Sequence, residues 1–201
     1  MDRKNVTLIA LTGGPASGKS SVLKRLRKHP ASDSANIMFM EETATAFFRD
    51  RPAVITELDR SILLRQFYIL RTQLFAEDIL MQNTPSDKPT VLIADRGALD
   101  IFAFLSDEEI DAIGRDTLEE LWTRYDHVIH LKGNYSNFLR DDETARLESN
   151  EAAHRASVRK SYDVWSKCPS FTCISQQETI EEKVRLVIDD IHRYLGREIF
   201  L

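Results

Sequence analysis

A three-layer α/β/α domain on a parallel sheet is what this 201-residue chain predicts. Two observations carry that expectation. Short apolar runs rich in β-branched residues alternate with longer amphipathic stretches, the pattern of right-handed βαβ crossovers. The first of these runs also ends in a glycine-rich loop that opens a helix. At about 150 residues per domain, the length suits a single domain over 1–201 with one elaboration. That is enough chain for a hydrophobic core without a metal or disulfide staple.

Val6–Leu11 is the first strand, and Thr90–Ala94 and His127–Leu131 are equally clear. Asn36–Met40 and Phe171–Ile174 are weaker runs of the same kind. Continuous short apolar runs suit strands covered on both faces. Lys19–Lys28 places Val22, Leu23 and Leu26 on one helical face, and Glu57–Met81 reads as a long helix. Asn83–Pro89 is the loop that follows it. Ser106 with Glu109, and Thr179 with Glu182, have the spacing of capping boxes. In the last helix Ile180, Val184, Val187, Ile188 and Ile191 share a face, and Gly196 is a natural stop. Arg140–Arg159 is the densest charged stretch and reads as exposed helix and loop, a candidate lid over about residues 136–160.

Composition narrows the class. Apolar residues make up 42% and charged residues 29%, which excludes collagen-like and wholly disordered chains. A net charge of −5 and a pI near 5.6 argue against a broad nucleic-acid or anionic-membrane surface. No apolar run approaches the roughly 20 residues of a membrane span. The N-terminus shows no signal-peptide cleavage site. Cys168 and Cys173 fit neither a zinc pattern nor Cys-x-x-Cys. The expectation is a cytoplasmic protein with two reduced thiols.

Gly13-Gly14-Pro15-Ala16-Ser17-Gly18-Lys19-Ser20 fits G-x-x-x-x-G-K-[ST] throughout, and three of the chain's seven glycines fall in these eight residues. A chance match in such a chain is on the order of one in a hundred. The chemistry explains the pattern. Glycines let backbone N–H groups turn inward around phosphate oxygens, and the helix N-terminus points its positive end to the same place. Lys19 is expected on the β- and γ-phosphates and the Ser20 hydroxyl on Mg²⁺.

Ligands of open parallel sheets sit beyond the carboxyl ends of the strands, so the residues just past each run matter most. After Thr90–Ala94 come Asp95, Arg96 and Gly97. Asp95 is placed to serve Mg²⁺, and Arg96 to bind an anion or offset charge on a transferring phosphoryl group. After Asn36–Met40 come Glu41 and Glu42, of which at most one faces the cleft. Either is a general base for a hydroxyl, or the pair is simply an acidic helix start. On the long helix, Asp59, Gln66 and Gln73 share a face with Arg71 nearby. Such residues read a base or sugar, or else form a solvated face, the plainer reading. Arg140, Arg146, Arg155 and Arg159 are candidate lid cations, Arg146 foremost, although pairing with Glu148 and Glu151 accounts for much of the cluster. The five histidines show no metal spacing, and Trp122 and Trp165 read as packing aromatics.

Taken in order, Gly13–Ser20 with Ser21, Glu42–Thr45, Ile69–Gln73, Asp95–Asp100, Tyr125–Leu131, Ala145–Glu148 and Trp165 resemble the P-loop ATPase/kinase family associated with NAD metabolism, the family of ribosylnicotinamide-kinase modules. More distantly, the plan is similar to deoxynucleoside and nucleoside monophosphate kinases. The resemblance implies the P-loop NTPase fold with sheet order 2-3-1-4-5 and a helical lid. It implies Glu42, not Glu41, as the base, Arg146 as the lid arginine, and Arg71 and Gln73 on the substrate-facing helix. The expected activity is an ATP- and Mg²⁺-dependent phosphotransferase for a nucleoside-like or other small hydroxylated metabolite. GTP is the second donor considered, although no Asn/Thr-Lys-x-Asp guanine signature occurs. The alternative is a nucleotide-dependent (ATP or GTP) regulatory binding module without small-molecule kinase activity, and a plain ATPase is the fallback. The expected partners are nucleotide and acceptor, with room for a homodimer and none for nucleic acid.

Overall fold

Five strands form one parallel sheet in the computed structural model, which describes residues 5–49, 61–85, 87–133 and 151–201. The strands are β1 (Val6–Thr12), β2 (Asn36–Met40), β3 (Thr90–Asp95), β4 (His127–Leu131) and β5 (Phe171–Ile174), in the order β2-β3-β1-β4-β5. All five expected runs are strands, and the order is the one the resemblance implies. β1 lies at the centre, with Leu8 opposite Leu92 and Leu11 opposite Ile129.

Because side chains alternate along a strand, each face collects its own core. Leu8, Ala10, Leu92, Ala94 and Val128 point to one face, and Ile9, Leu11, Val91, Ile93, Ile129 and Leu131 to the other. The second face is covered by α1 (Lys19–Leu26) and the C-terminal helix α7 (Ile180–Leu195). The first is covered by α3 (Ile62–Gln82), a 3-10 segment (Ala98–Phe104), α5 (Arg115–Trp122) and the end of α6 (Glu151–Trp165). Short helices α2 (Thr43–Arg49) and α4 (Asp107–Ile113) complete the elements of the described residues. No helix among the described residues is long and apolar enough to cross a membrane.

The local signals act as physical chemistry requires. Ser106 and Glu109 close a reciprocal capping box on α4, and the Thr179 hydroxyl accepts from Glu182 N–H at 3.1 Å. Gly196 ends α7 in the left-handed region at φ 63. Ser61 caps α3, so the described helix starts at Ile62; the expected start at Glu57, and Asp59, lie outside the described residues.

The face of α3 is a correction. Gln66 and Gln73 do share a face, but it is buried rather than solvated, and Glu77 joins them. The outer surface of the helix carries apolar side chains as well, Leu64, Ile79 and, at 68% exposure, Phe75, while Ile69 and Leu70 pack inward. Gln73 and Glu77 are held inward by a buried polar network. The candidate lid region lies only partly within the described residues. Its part beyond residue 150 belongs to α6, which ends in the core on Ser161 and Trp165, while residues 134–150, with Arg140 and Arg146, lie outside the described residues.

Candidate active site

The site gathers where β1, β2 and β3 end. The loop between β1 and α1 turns tightly: Gly13 has φ 143, and a Cβ there would lie 2.2 Å from the Leu131 carbonyl oxygen. Only glycine fits. Ala16, at φ 53, takes a left-handed conformation that non-glycine residues rarely hold. Within this loop the Lys19 ammonium donates to the carbonyls of Gly13 at 2.6 Å and Gly14 at 3.0 Å, and to the Ser17 hydroxyl at 3.2 Å. Burial, with Arg96 nearby, pulls Lys19 down to about 7 against the opposing pull of Asp100, Glu42 and Asp95. An anion beside it favours the charged form again.

Arg96 is the hub. Its backbone is held at φ 67, another strained non-glycine position next to candidate chemistry. Its Nε donates to Glu42 at 2.5 Å and one terminal nitrogen reaches the Gly13 carbonyl at 3.5 Å; the same nitrogen lies 3.7 Å from Asp100. Burial pushes the Glu42 carboxyl up, but Arg96, the Thr45 hydroxyl at 2.7 Å and Lys19 outweigh it and hold the group below the usual carboxylate range. Glu41 points elsewhere: its side chain is 71% exposed and lies 3.7 Å from Arg27. Of the two acids, the fold brings Glu42 to the loop.

Asp95 ends β3 half-buried, and burial together with the Glu42 charge raises it to about 6. Ser20 is exposed on the first turn of α1, and Ser21 beside it. No group of three His, Cys, Asp or Glu ligands occurs among the described residues. Two oxygen donors of this kind fit a Mg²⁺ carried mainly by phosphate and water rather than by a protein cage. A cation there would also return Asp95 to its ionised form.

The two α3 residues differ. Arg71 is exposed. Gln73 is buried, accepting from the Thr43 hydroxyl at 2.5 Å and donating to Glu77 at 2.8 Å. It therefore braces the segment that carries Glu42, and a substrate would have to displace these bonds. Glu77 also accepts from the Tyr125 hydroxyl at 2.7 Å and Arg124 Nε at 2.5 Å.

Sequence reasoning assigned no role to three residues that complete the site's frame. Asp100 is buried and accepts from Thr12 Oγ1 at 2.8 Å, Gly97 N–H at 3.1 Å and Trp165 Nε1 at 3.2 Å. Its signal was the i,i+4 spacing from Arg96. Thr12 is a polar residue closing an apolar strand. Lys183 falls on the apolar face of α7 between Ile180 and Val187, and a charge at such a position is itself a signal.

The profile of a family of AAA domains matches residues 8–183. No curated protein matches the sequence. Solved structures do. NadR protein in complex with NR superposes with a TM-score of 0.67 at 16% identity, over 99% of this chain and 54% of that one. NadR protein in complex with NAD and AMP-PNP gives 0.66 and 15%, over 99% and 52%. Deoxyadenosine kinase from M. mycoides with bound dATP gives 0.63 and 15%, over 92% and 100%. The chain thus spans about half the length of the NadR chains. Such likeness establishes the P-loop NTPase fold.

Proposed function

The chain belongs to this AAA-domain family, and from that premise we propose that it is an ATP- and Mg²⁺-dependent P-loop phosphotransferase acting on a hydroxyl of a nucleoside-like or other small metabolite. The observation that carries the reading is Arg96: one guanidinium touches both the phosphate loop, at Gly13, and the candidate base, Glu42. Phosphoryl transfer needs little covalent chemistry from a protein; it needs positioning and charge compensation. Here both converge on a few side chains.

Gly13, Gly14, Pro15, Ala16, Ser17, Gly18, Lys19, Ser20 and Ser21 form the nucleotide cradle. Lys19 leaves the loop carbonyls for the β- and γ-phosphates. Ser20 and Asp95 hold Mg²⁺, which supplies charge neutralisation at the phosphates when bound. Glu42 takes the proton of the attacking hydroxyl. Arg96 offsets charge at the phosphoryl group, and Arg146 joins it from the lid. Arg71 is kept as the acceptor contact on α3, and Gln73 acts by bracing Thr43 beside Glu42. The nucleoside and nucleotide ligands named for the solved relatives, NR, NAD, AMP-PNP and dATP, belong to those proteins and support the substrate class.

A second reading, a nucleotide-dependent binding module, is favoured by one observation. A carboxylate ion-paired at 2.5 Å and held below its usual range is a weak proton acceptor until Arg96 moves. The test is ADP and GDP release from Mg·ATP and Mg·GTP, with and without nucleosides that include nicotinamide riboside. Acceptor-stimulated release with one phosphate gained by the acceptor supports the kinase and settles ATP against GTP. Tight nucleotide binding with no stimulation across the set supports the binding module.

A further inference from the structure

We propose that Lys183 is a positioning residue for the phosphate loop: a buried ammonium that holds the loop in its phosphate-binding shape from behind. The inference rests on the nucleotide-binding reading above and extends it to a residue outside the glycine motif.

A loop that turns its N–H groups inward around phosphate turns carbonyls outward, and buried carbonyls need donors. Gly13 and Gly14 carbonyls are taken by Lys19. Gly18 carbonyl receives the first helical bond, from Val22 N–H at 2.9 Å. Ser17 carbonyl lies just outside the helix, and Lys183 Nζ donates to it at 3.0 Å. The same ammonium donates to Lys132 carbonyl at 3.1 Å and Gln176 Oε1 at 2.9 Å. Three acceptors use all three N–H bonds of a charged lysine.

Those acceptors lie on the segments that follow β1, β4 and β5, three neighbours in the sheet. One side chain, 3% exposed, therefore joins three loops at the carboxyl edge. The packing agrees: a Cβ on Gly133, next to Lys132, would come within 2.7 Å of Ala16 carbonyl. Lys132 N–H in turn bonds Ile174 carbonyl at 2.9 Å, tying the ends of β4 and β5 together. Lys19 and Lys183 thus divide the work. Lys19 is free to exchange carbonyls for phosphate. The three acceptors of Lys19 all lie within the phosphate loop, whereas those of Lys183 lie on three different segments, so Lys183 keeps the cradle anchored while Lys19 moves.

The test measures calorimetric Kd for Mg·ATP and for Mg·tripolyphosphate, a phosphate chain without base or sugar, in the wild-type chain, Lys183→Met and Lys183→Arg. Lys183→Met is expected to raise both Kd values at least tenfold and by the same factor. Lys183→Arg, which keeps the charge and can still bridge carbonyls, is expected to stay within threefold. Equal binding by wild type and Lys183→Met overturns the inference, as does a loss for ATP that spares tripolyphosphate, or an Arg variant as impaired as Met. If Lys183→Met does not fold, Gln176→Leu on the exposed side of the cluster takes its place. A two- to fivefold rise in both Kd values is then expected, and no change overturns the inference. Wild-type chain that binds neither ligand overturns the nucleotide reading itself; wild-type binding with an unaffected Met variant removes only the role of Lys183.

Discussion

The two faces of the sheet are built on different principles. Under α1 and α7 the core is dry: Ile9, Leu11, Val22, Leu23, Val91, Ile93, Ile129, Val187 and Ile191 pack as one apolar cluster. Polar contacts stand at its two ends. Lys183 is at the carboxyl edge, and His127 is at the amino edge, bonded to Asp190 at 2.8 Å and Ser170 at 2.7 Å. Under α3, the 3-10 segment and α6, buried polar side chains run through the core itself. Thr43, Gln73, Glu77, Tyr125 and Arg124 form one chain of bonds, and Thr12, Asp100 and Trp165 another. Tyr125 also joins that face to the site: its hydroxyl accepts from Ala98 N–H at 2.5 Å while its ring meets Trp165 edge-on. Both faces bury apolar side chains, but only one of them threads hydrogen-bonded polar groups from the core to the segments that carry Glu42 and Arg96.

The largest expected effect that sharpens this contrast comes from Glu77→Ala. Three donors lose their acceptor in a fully buried place. Breaking such a network costs about 3–5 kcal/mol, read from urea unfolding. Turnover of the fraction still folded should also fall, because Gln73 loses a partner and with it the brace on Thr43.

Leu23→Ala on the dry face is expected to cost about 3 kcal/mol through lost burial and a cavity. Here kcat and nucleotide Kd should not move. If Leu23→Ala lowered turnover as much as Glu77→Ala, the division between the faces would be wrong.

The third effect is a pH dependence on the polar face. His130 is fully buried, 3.3 Å from the Ser161 hydroxyl and 4.0 Å from Cys173 Sγ. Burial, helped by Lys19 and Lys132 against Asp100, takes it down to about 4. The unfolded chain therefore takes up this proton first as pH falls below the ordinary value near 6.5. Stability from this group is complete above that value and is lost progressively down to pH 4. Between pH 7 and pH 5 the loss is about 2 kcal/mol. Urea midpoints of wild type and His130→Phe at the two pH values measure it, and the variant should show the smaller slope.

The same contrast explains what could be read from the chain. The dry face was legible because its helices advertise one apolar stripe each, Val22, Leu23 and Leu26 in α1 and Val184, Val187 and Ile191 in α7. The central strands β1, β3 and β4 were legible for the related reason that they are buried on both sides, while the half-buried edge strands β2 and β5 gave the weaker runs. The polar face was not, because amides at helical spacing, Gln66 and Gln73, read most plainly as solvated, whereas both are buried and Gln73 bonds the buried Glu77. Short α2 and α5 carried too little pattern to be singled out. In the site, the glycine motif and the Asp95–Arg96 pair stood out by spacing, and strand ends told where to look. The choice of Glu42 over Glu41 rested on resemblance, since adjacent acids look alike until a partner such as Arg96 turns one of them inward. Asp100 and Lys183 were missed because their roles come from contacts across 88 and 166 residues of chain.

The proposed transfer assigns nucleotide binding to the phosphate loop and removal of the acceptor proton to Glu42. Lys19→Ala and Glu42→Gln separate them most directly, each assayed for Mg·ATP affinity and for turnover with the acceptor that stimulates the wild type. Lys19→Ala should weaken nucleotide binding. Glu42→Gln should bind Mg·ATP within threefold of wild type and lose turnover by about a hundredfold or more. Full acceptor-dependent turnover in Glu42→Gln would rule out Glu42 as the base.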